Sequence, residues 1–409
     1  MKQKPRVIII GANFAGLAAA KRLGPSAEVT LIDPSPYFEF IPNIHELIAG
    51  QKSPADLRLD RGNLIQKMGH RWIQDRVVGL DPENNQVNLA AGETLSYDAC
   101  IVAIGGINQF HGVKGAEKFT HPFKSVDDCQ KIGERFQELK QTDKPFSVVI
   151  VGGGSEGVEA LGELLRERNL KTPMHIHLVD GSDRLLPNLT SKVSEEIERL
   201  CSDLPVTFHF NLRIKEAKSK SVVLADGSTL PSDLTIWTGG IQPSPLLSES
   251  GLSDSHKEYA AVHPDLQSDR FDNVFVVGDA AELSEVNSKQ AYFAMESGEF
   301  AAGNALSFIN KKPTRSFSTT KRPYLYSFGD LSCFLVWNDF VLAGNPLSVA
   351  KEGIYQKTMV EMQSLDACDT VTEIYDRIIP PVISGYSDFL KSFLQSPWDF
   401  ISGLAVRVL

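Results

Sequence analysis

The sequence predicts an α/β fold made of two parallel-sheet units and a smaller C-terminal region of strands and helices. Three observations predict it. A strand apolar on both faces, a glycine turn, a helix and a returning strand open the chain. The same unit recurs about 140 positions later, so the chain carries an internal repeat. Beyond about Lys312 the pattern changes to short alternating strands and then amphipathic helical sequence. The length of 409 residues suits two or three domains rather than one.

The elements follow in order. Val7-Ile8-Ile9-Ile10 is the first strand, Ala15 to Leu23 a helix, and Glu28 to Asp33 the returning strand. Lys2, Lys4 and Arg6 before an apolar run imitate a secretory leader. The run breaks at Gly11-Ala12-Asn13, however, which reads as a turn inside a domain. Gln86–Leu89 and Tyr97–Ile104 are further strands, the latter ending at Gly105-Gly106. Phe146–Val151 starts the second copy, with a helix from Ser155 to Asn169 and a strand from His175 to Asp180. Ser221–Leu224, Leu234–Gly240 and Val274–Val277 complete the strands before the C-terminal region.

Composition excludes several functions. Lys plus Arg is 41 against 51 for Asp plus Glu, a net charge of −10, so nucleic acid is not an expected partner. No apolar run approaches the ~20 residues that a spanning helix needs. The five cysteines contain no C-x-x-C pair, which argues against a disulfide framework and a cysteine zinc site and fits a reducing compartment. No metal site is expected.

Both glycine turns carry chemistry. Gly11, Asn13 and Gly16 occupy the positions of G-x-G-x-x-G, directly after a strand and opening a helix. The first glycine makes the turn, the second admits a pyrophosphate, and the third lets helix and strand pack closely. The helix N-terminus then offers free N–H groups to phosphate. Asp33 ends the next strand, where a carboxylate accepts from a ribose diol. Asn13 departs from the pattern, although Asn tolerates left-handed angles and its amide is able to donate to phosphate. The second loop, Gly152, Gly154 and Gly157, is complete, and Asp180 ends its following strand. An acid there favours an unphosphorylated ribose and hence NADH, while nearby Arg184 keeps NADPH open. Two Rossmann-like dinucleotide-binding domains in one chain are therefore expected.

On these residues the sequence resembles the two-dinucleotide-binding-domain flavoproteins. The loop with Asp33, the strand ending Ala103-Ile104-Gly105-Gly106, the second loop and Asn273–Ala280 fall in that family's order. The resemblance implies an FAD-binding domain of residues 1–113 and 242–312 and an NAD(P)H-binding domain of residues 114–241. Residues 313–409 form the C-terminal domain. It further implies that Gly11, Asn13, Phe14, Ala15, Gly16, Asp33, Pro42, Val77, Ala103, Gly105, Gly278, Asp279, Gln290 and Ala291 hold FAD. Gly152, Gly154, Ser155, Glu156, Gly157, Asp180 and Gly239 would hold NAD(P)H.

The branch is narrowed by what residues 35–60 contain. They carry no cysteine, unlike disulfide reductases. A sulfide:quinone oxidoreductase needs two thiols; Cys333 would serve as one, but nothing between Cys129 and Cys201 supplies the other. Tyr37–Asn43 followed by Gly50 instead resembles type II NADH:quinone oxidoreductases and apoptosis-inducing-factor-homologous quinone reductases. So does Gly157-Val158-Glu159, where the resemblance puts Glu159 near nicotinamide and quinone. A carboxylate on a first helical turn also simply complements the helix dipole. Tyr292 and Glu296 stand where the type II enzymes prefer Gln, and Lys289-x-Ala291-Tyr292 looks closer to the other branch.

The resemblance implies an FAD-dependent NAD(P)H dehydrogenase passing two electrons to a quinone or another small apolar acceptor. Glu159 is its expected catalytic carboxylate, and Lys289 with its helix N-terminus would stabilise negative charge on the flavin. A soluble reductase for an electron-transfer protein, a sulfide:quinone oxidoreductase-like enzyme and a non-turnover NAD sensor remain alternatives. Phe389, Leu390, Phe393 and Leu394, then Phe400, Ile401, Leu404, Ala405 and Val408, mark two amphipathic helices. They suit docking on a membrane surface, packing on the chain's own body, or a homodimer contact. The expected location is cytoplasmic, or peripheral on the inner face of a membrane.

Overall fold

The structure is a computed structural model that describes residues 4–142, 144–169, 172–283, 289–319, 322–363 and 407–409. Its first layer is a five-stranded parallel sheet. The strands are β1 (Arg6–Ile10), β2 (Glu28–Ile32), β3 (Arg71–Ile73), β4 (Ala99–Val102) and a fifth from Val274 to Val276. Val7 to Ile10 are all buried, as a central strand covered on both faces requires. β1 lies between β2 and β4, in register Ile10↔Ile32 and Ile10↔Val102. The 274–276 strand joins the outer side of β4, so the sheet closes only after the whole second unit has been threaded.

That second unit repeats the plan. β5 (Phe146–Val151) is central, between β6 (Met174–Val179) and β8 (Leu234–Trp237), with β7 (Val206–His209) and the short strand His121–Pro122 at the edges. In each unit the glycine loop leaves the C-terminal end of the central strand and enters a helix, α1 (Phe14–Leu23) or α3 (Ser155–Leu165). α2 (Val126–Lys140) connects the edge strand His121–Pro122 to β5. α3 was expected to reach Asn169 but stops at Leu165. The N–H groups of Arg166, Glu167 and Arg168 turn to carbonyls three residues back, which tightens the last turn.

Glycine lets the pieces approach. An added Cβ at Gly298, in the long helix Ala291–Ile309, would lie 2.1 Å from the Ala15 carbonyl of α1. At Gly133 of α2 it would lie 2.6 Å from the Leu47 carbonyl, and at Gly162 of α3 it would lie 2.4 Å from the Gly329 nitrogen. The last contact docks the C-terminal sheet. Tyr324–Phe328, Ser332–Trp337 and Phe340–Ala343 form an antiparallel meander, followed by the helix Leu347–Gln363.

The chain end differs from the helical expectation. Arg407 and Val408 form a short strand antiparallel to Phe340–Ala343, and Leu409 N–H donates to Val341 O at 3.0 Å. Arg407 pairs with Glu196 and Lys192 donates to the Leu409 carbonyl, both from helix Ser191–Cys201. A free sheet edge and these charges hold the end as a strand. The rest of the expected amphipathic pair, residues 384–406, lies outside the described residues. Among the described residues no helix is long and apolar enough to cross a membrane.

Gly162→Ala should lower stability by about 1–3 kcal/mol, since backbone must move. Gly303→Ala, where a Cβ meets nothing within 4 Å, should be neutral or stabilising by up to about 1 kcal/mol. Thermal unfolding of the two variants checks the pair.

Candidate functional site

The two glycine loops are tethered in the same way. Asp33 Oδ2 accepts from Ala12 N–H at 2.9 Å while Oδ1 accepts from Ser35 N–H at 2.9 Å. Asp180 Oδ2 accepts from Gly153 N–H at 2.5 Å while Oδ1 accepts from Ser182 N–H at 2.6 Å. Each acid thus stands beside its loop with lone pairs left for a ribose diol. Asp33 also pairs with the buried guanidinium of Arg61 at 2.5 Å, whose Nε has no partner. Arg184 is committed elsewhere: its guanidinium donates to the carbonyls of Leu186, Pro187 and Leu189.

The loops fit a diphosphate. Gly11 and Gly152 have φ of +93° and +112°, and an added Cβ would lie 2.4 Å from Ala103 O and 2.6 Å from Thr238 O. Only glycine allows the loops to cross the neighbouring strands so closely. At Gly154 a Cβ would meet nothing within 4 Å, so the middle of the loop is open to a ligand. No side chain caps either helix, which leaves first-turn N–H groups of α1 and α3 for an anion. Asn13 holds φ at −101° and spends its amide on Glu39, donating to its carbonyl and accepting from its N–H. It pins the Tyr37–Glu39 strand to the loop instead of reaching phosphate. Glu39 in turn caps α2 by accepting from Val126 N–H and pairs with Arg58.

The two units converge at Lys124. Its ammonium pairs with Glu156, on the first turn of α3 in the second unit, and its field reaches Asp279 of the first. Burial pushes both carboxyls above the usual range. No hydrogen bond among the described residues reaches the carboxylate of Asp279, a half-buried acceptor. Gly278 N–H donates to Ser297 Oγ, which ties this turn to the helix Ala291–Ile309. Lys289 lies 3.4 Å from the Tyr259 ring centroid, and burial holds its ammonium below the usual value. Gln290 and Ala291 open that helix, Gly105 and Ala103 follow β4, and Pro42 is the second residue of the turn Ile41–Leu47. Val77 sits apart at the start of an antiparallel strand, and the Gly239 carbonyl accepts from His111 Nε2 at 2.7 Å.

Glu159 lies one turn further along α3, in a buried cluster that joins three parts of the chain. Lys351, on the helix Leu347–Gln363, donates to Glu159 Oε1, and Ser327 N–H approaches the same oxygen at 3.4 Å. His45 Nδ1 is 3.6 Å from Glu159 Oε2. One turn beyond, Glu163 is fully buried against Arg166 at 2.8 Å, and desolvation pushes its carboxyl up to about 7. Burial pushes Glu159 up as well, and the helix-dipole reading alone does not account for these partners.

Lys124, His45, Glu163 and Lys351 were not singled out from sequence. The signal was present for one: Glu163 follows Glu159 at i, i+4, so the two acids share one face of α3. Lys351 and His45 come from distant segments with no motif. Cys100, Cys129, Cys201 and Cys333 are all buried free thiols, and burial pushes that of Cys333 up to about 12.

Comparisons with known proteins agree with this geometry. The pattern of the pyridine nucleotide-disulphide oxidoreductase family matches residues 5–298. A type II NADH:quinone oxidoreductase of Staphylococcus saprophyticus is 24% identical over 357 residues, 80% of this chain and 88% of that one. A demethylphylloquinone reductase of Synechocystis is 24% identical over 76% of this chain and 81% of its own. Among solved structures, the sulfide:quinone oxidoreductase of Aquifex aeolicus aligns with TM-score 0.78 at 18% identity, covering 92% of this chain and 95% of that one. NDH2 of Plasmodium falciparum in complex with NADH aligns with TM-score 0.77 at 17% identity, covering 92% and 99%.

Glu163 predicts a pH dependence. Its folded pKa of about 7 lies above the unfolded value of about 4.3, so the folded state binds the extra proton between them. Stability should therefore fall as pH rises through that window. Glu163→Gln should flatten the fall and raise stability at pH 8 by up to about 3 kcal/mol. Urea unfolding at pH 5 and pH 8 checks it; a variant destabilised at pH 8 contradicts it.

Proposed function

Because the chain belongs to the pyridine nucleotide-disulphide oxidoreductase family, we propose that it is an FAD-dependent dehydrogenase that oxidises NADH and reduces a quinone. The observation that carries this reading is the convergence at Lys124, which pairs with Glu156 at the start of α3 and whose charge also acts on Asp279 of the first unit. Two sites so joined suit electron transfer between two nucleotide cofactors. When bound, FAD would supply a two-electron redox centre between NADH and a second acceptor. The quinone part rests on the names of the relatives in Staphylococcus and Synechocystis.

The chain's own residues take these roles. The loop from Gly11 to Gly16 and the N-terminus of α1 hold the FAD diphosphate, Asp33 its adenosine ribose, and Asp279 its ribityl hydroxyls. The open acceptor of Asp279 supports that assignment. Pro42, Ala103, Gly105, Gln290 and Ala291 wall the unit formed by residues 1–113 and 242–312. Gly152, Gly154, Ser155 and Gly157 receive the NADH diphosphate in residues 114–241, and Asp180 its ribose. Glu156, locked to Lys124, orients the α3 start rather than binding by charge. Lys289, with the helix Ala291–Ile309 behind it, sets a positive field for a reduced, anionic ring. Glu159 stands toward the C-terminal domain, where an apolar acceptor would enter. The sequence of residues 384–406 supports a peripheral membrane position for that entrance.

The purified protein should be yellow with one FAD per chain, and Asp33→Ala should lower that occupancy. A colourless protein that takes up no added FAD contradicts the assignment. NADH should reduce it faster than NADPH, and Asp180→Ser should narrow the gap by about 1–2 kcal/mol, read as the ratio of rate constants. Faster reduction of the unaltered protein by NADPH removes that role from Asp180. A Phe389→Ser/Phe393→Ser double variant keeps the terminal strand; it should retain flavin and lose liposome binding, and retained liposome binding contradicts the membrane reading.

A further inference from the structure

The 2′ oxygen of the adenosine ribose separates NADH from NADPH, and a 2′-phosphate is accepted where an arginine stands beside the strand-end acid. The sequence offers Arg184 for that place, but its guanidinium is spent on the carbonyls of Leu186, Pro187 and Leu189. The structure brings another cation there, from the far end of β7.

Arg213 follows β7, and backbone hydrogen bonds zip its segment to the one that carries Asp180. Asp180 N–H donates to His209 O at 3.0 Å, Asn211 N–H to Ser182 O at 2.8 Å, and Leu212 N–H to Asp180 O at 3.1 Å. From the other side, Ala225 N–H donates to Arg213 O at 2.8 Å. The Arg213 side chain then lies over Gly181. A Cβ added to that glycine would meet Arg213 Nε at 3.0 Å and Cγ at 3.3 Å, so a larger residue at 181 would push the guanidinium aside. Arg213 is exposed, and among the described residues no hydrogen bond or ion pair engages its guanidinium. Asp180 does not pair with it; the two carboxylate oxygens accept from the N–H groups of Gly153 and Ser182. Asp226, next to Ala225, is engaged by Ser228.

We propose that Arg213 is a 2′-phosphate subsite of the second unit, so that the site takes NADPH as a further substrate beside NADH. This rests on the dehydrogenase reading above. With NADH, Asp180 accepts from the ribose diol and Arg213 only flanks the turn from Asp180 to Ser182. With NADPH, the added phosphate meets a guanidinium whose N–H donors are unspent and whose planar fork matches two phosphate oxygens at once. The stem is already laid over Gly181, so little side-chain freedom remains to be lost on binding. Attraction to Arg213 then offsets repulsion by Asp180, which makes the preference for NADH partial rather than absolute. The specificity of the site is set by two residues of opposite sign, one on each side of the ribose 2′ position.

The test compares the flavin-loaded protein with its R213A and R213K variants. R213A should lower the second-order rate constant of flavin reduction by NADPH about tenfold more than that by NADH, since charge-assisted hydrogen bonds to the phosphate are lost. R213K keeps the charge without the fork and should recover part of that loss. Calorimetric titration with adenosine 2′,5′-bisphosphate and with AMP reads the subsite without turnover. R213A should weaken the bisphosphate about tenfold more than AMP, and the difference should shrink as salt rises from about 20 to about 500 mM. Equal losses for the two nucleotides, or an R213K no better than R213A, overturn the role of Arg213 and leave the proposed function standing. An unaltered protein that binds neither adenosine nucleotide and is reduced by neither NADH nor NADPH overturns the proposed function and the subsite together.

Discussion

The close crossing of each glycine loop over its neighbouring strand is the constraint on which the rest depends. At Gly11 and Gly152 there is no room for a Cβ between the loop and the carbonyl of Ala103 or Thr238. That crossing directs the chain into a helix whose first N–H groups point out of the sheet. Asp33 and Asp180 then fix the loops from the side, by hydrogen bonds to backbone rather than to side chains. The carboxylates are held in place before any ligand arrives, which lowers the cost of ordering them on binding.

Convergence of the two sites follows from topology rather than from either loop. The 274–276 strand returns to the first sheet only after the second unit is complete, and it carries Asp279 to where the charge of Lys124 acts on it. The C-terminal meander is seated by the Gly162–Gly329 approach, which brings the helix Leu347–Gln363 and Lys351 over Glu159. Packing thus assembles a buried cluster of acids and bases where the three parts meet. Burying so many charges is unfavourable unless they are paired, and each described member has a partner of opposite sign or a hydrogen bond.

Much of the fold was legible because its signals are local. An apolar strand, a glycine turn and a strand-end acid lie within about 20–30 residues, and the repeat doubled their weight. The loop residues Gly11, Gly16, Gly152 and Gly157 and the tethers Asp33 and Asp180 stand where that pattern put them. The remainder was not legible because it is long-range. Asn13 reads as a weakened phosphate ligand until the structure shows Glu39 against it. Lys124, His45 and Lys351 have no neighbours in sequence that announce a site, and only tertiary packing brings them to Glu156 and Glu159. The terminal strand escaped for a similar reason: Val408 fits an apolar helical stripe as well as it fits the open edge beside Leu342.

Anaerobic double-mixing stopped flow tests the central claim most directly. The flavin-loaded protein is mixed with one equivalent of NADH, then with a short-chain quinone, while flavin absorbance is followed. The account predicts full bleaching by NADH and rapid, stoichiometric recovery on quinone addition. Bleaching without recovery would show that the two nucleotide sites converge as described but serve a different acceptor; no bleaching at all would contradict the convergence itself.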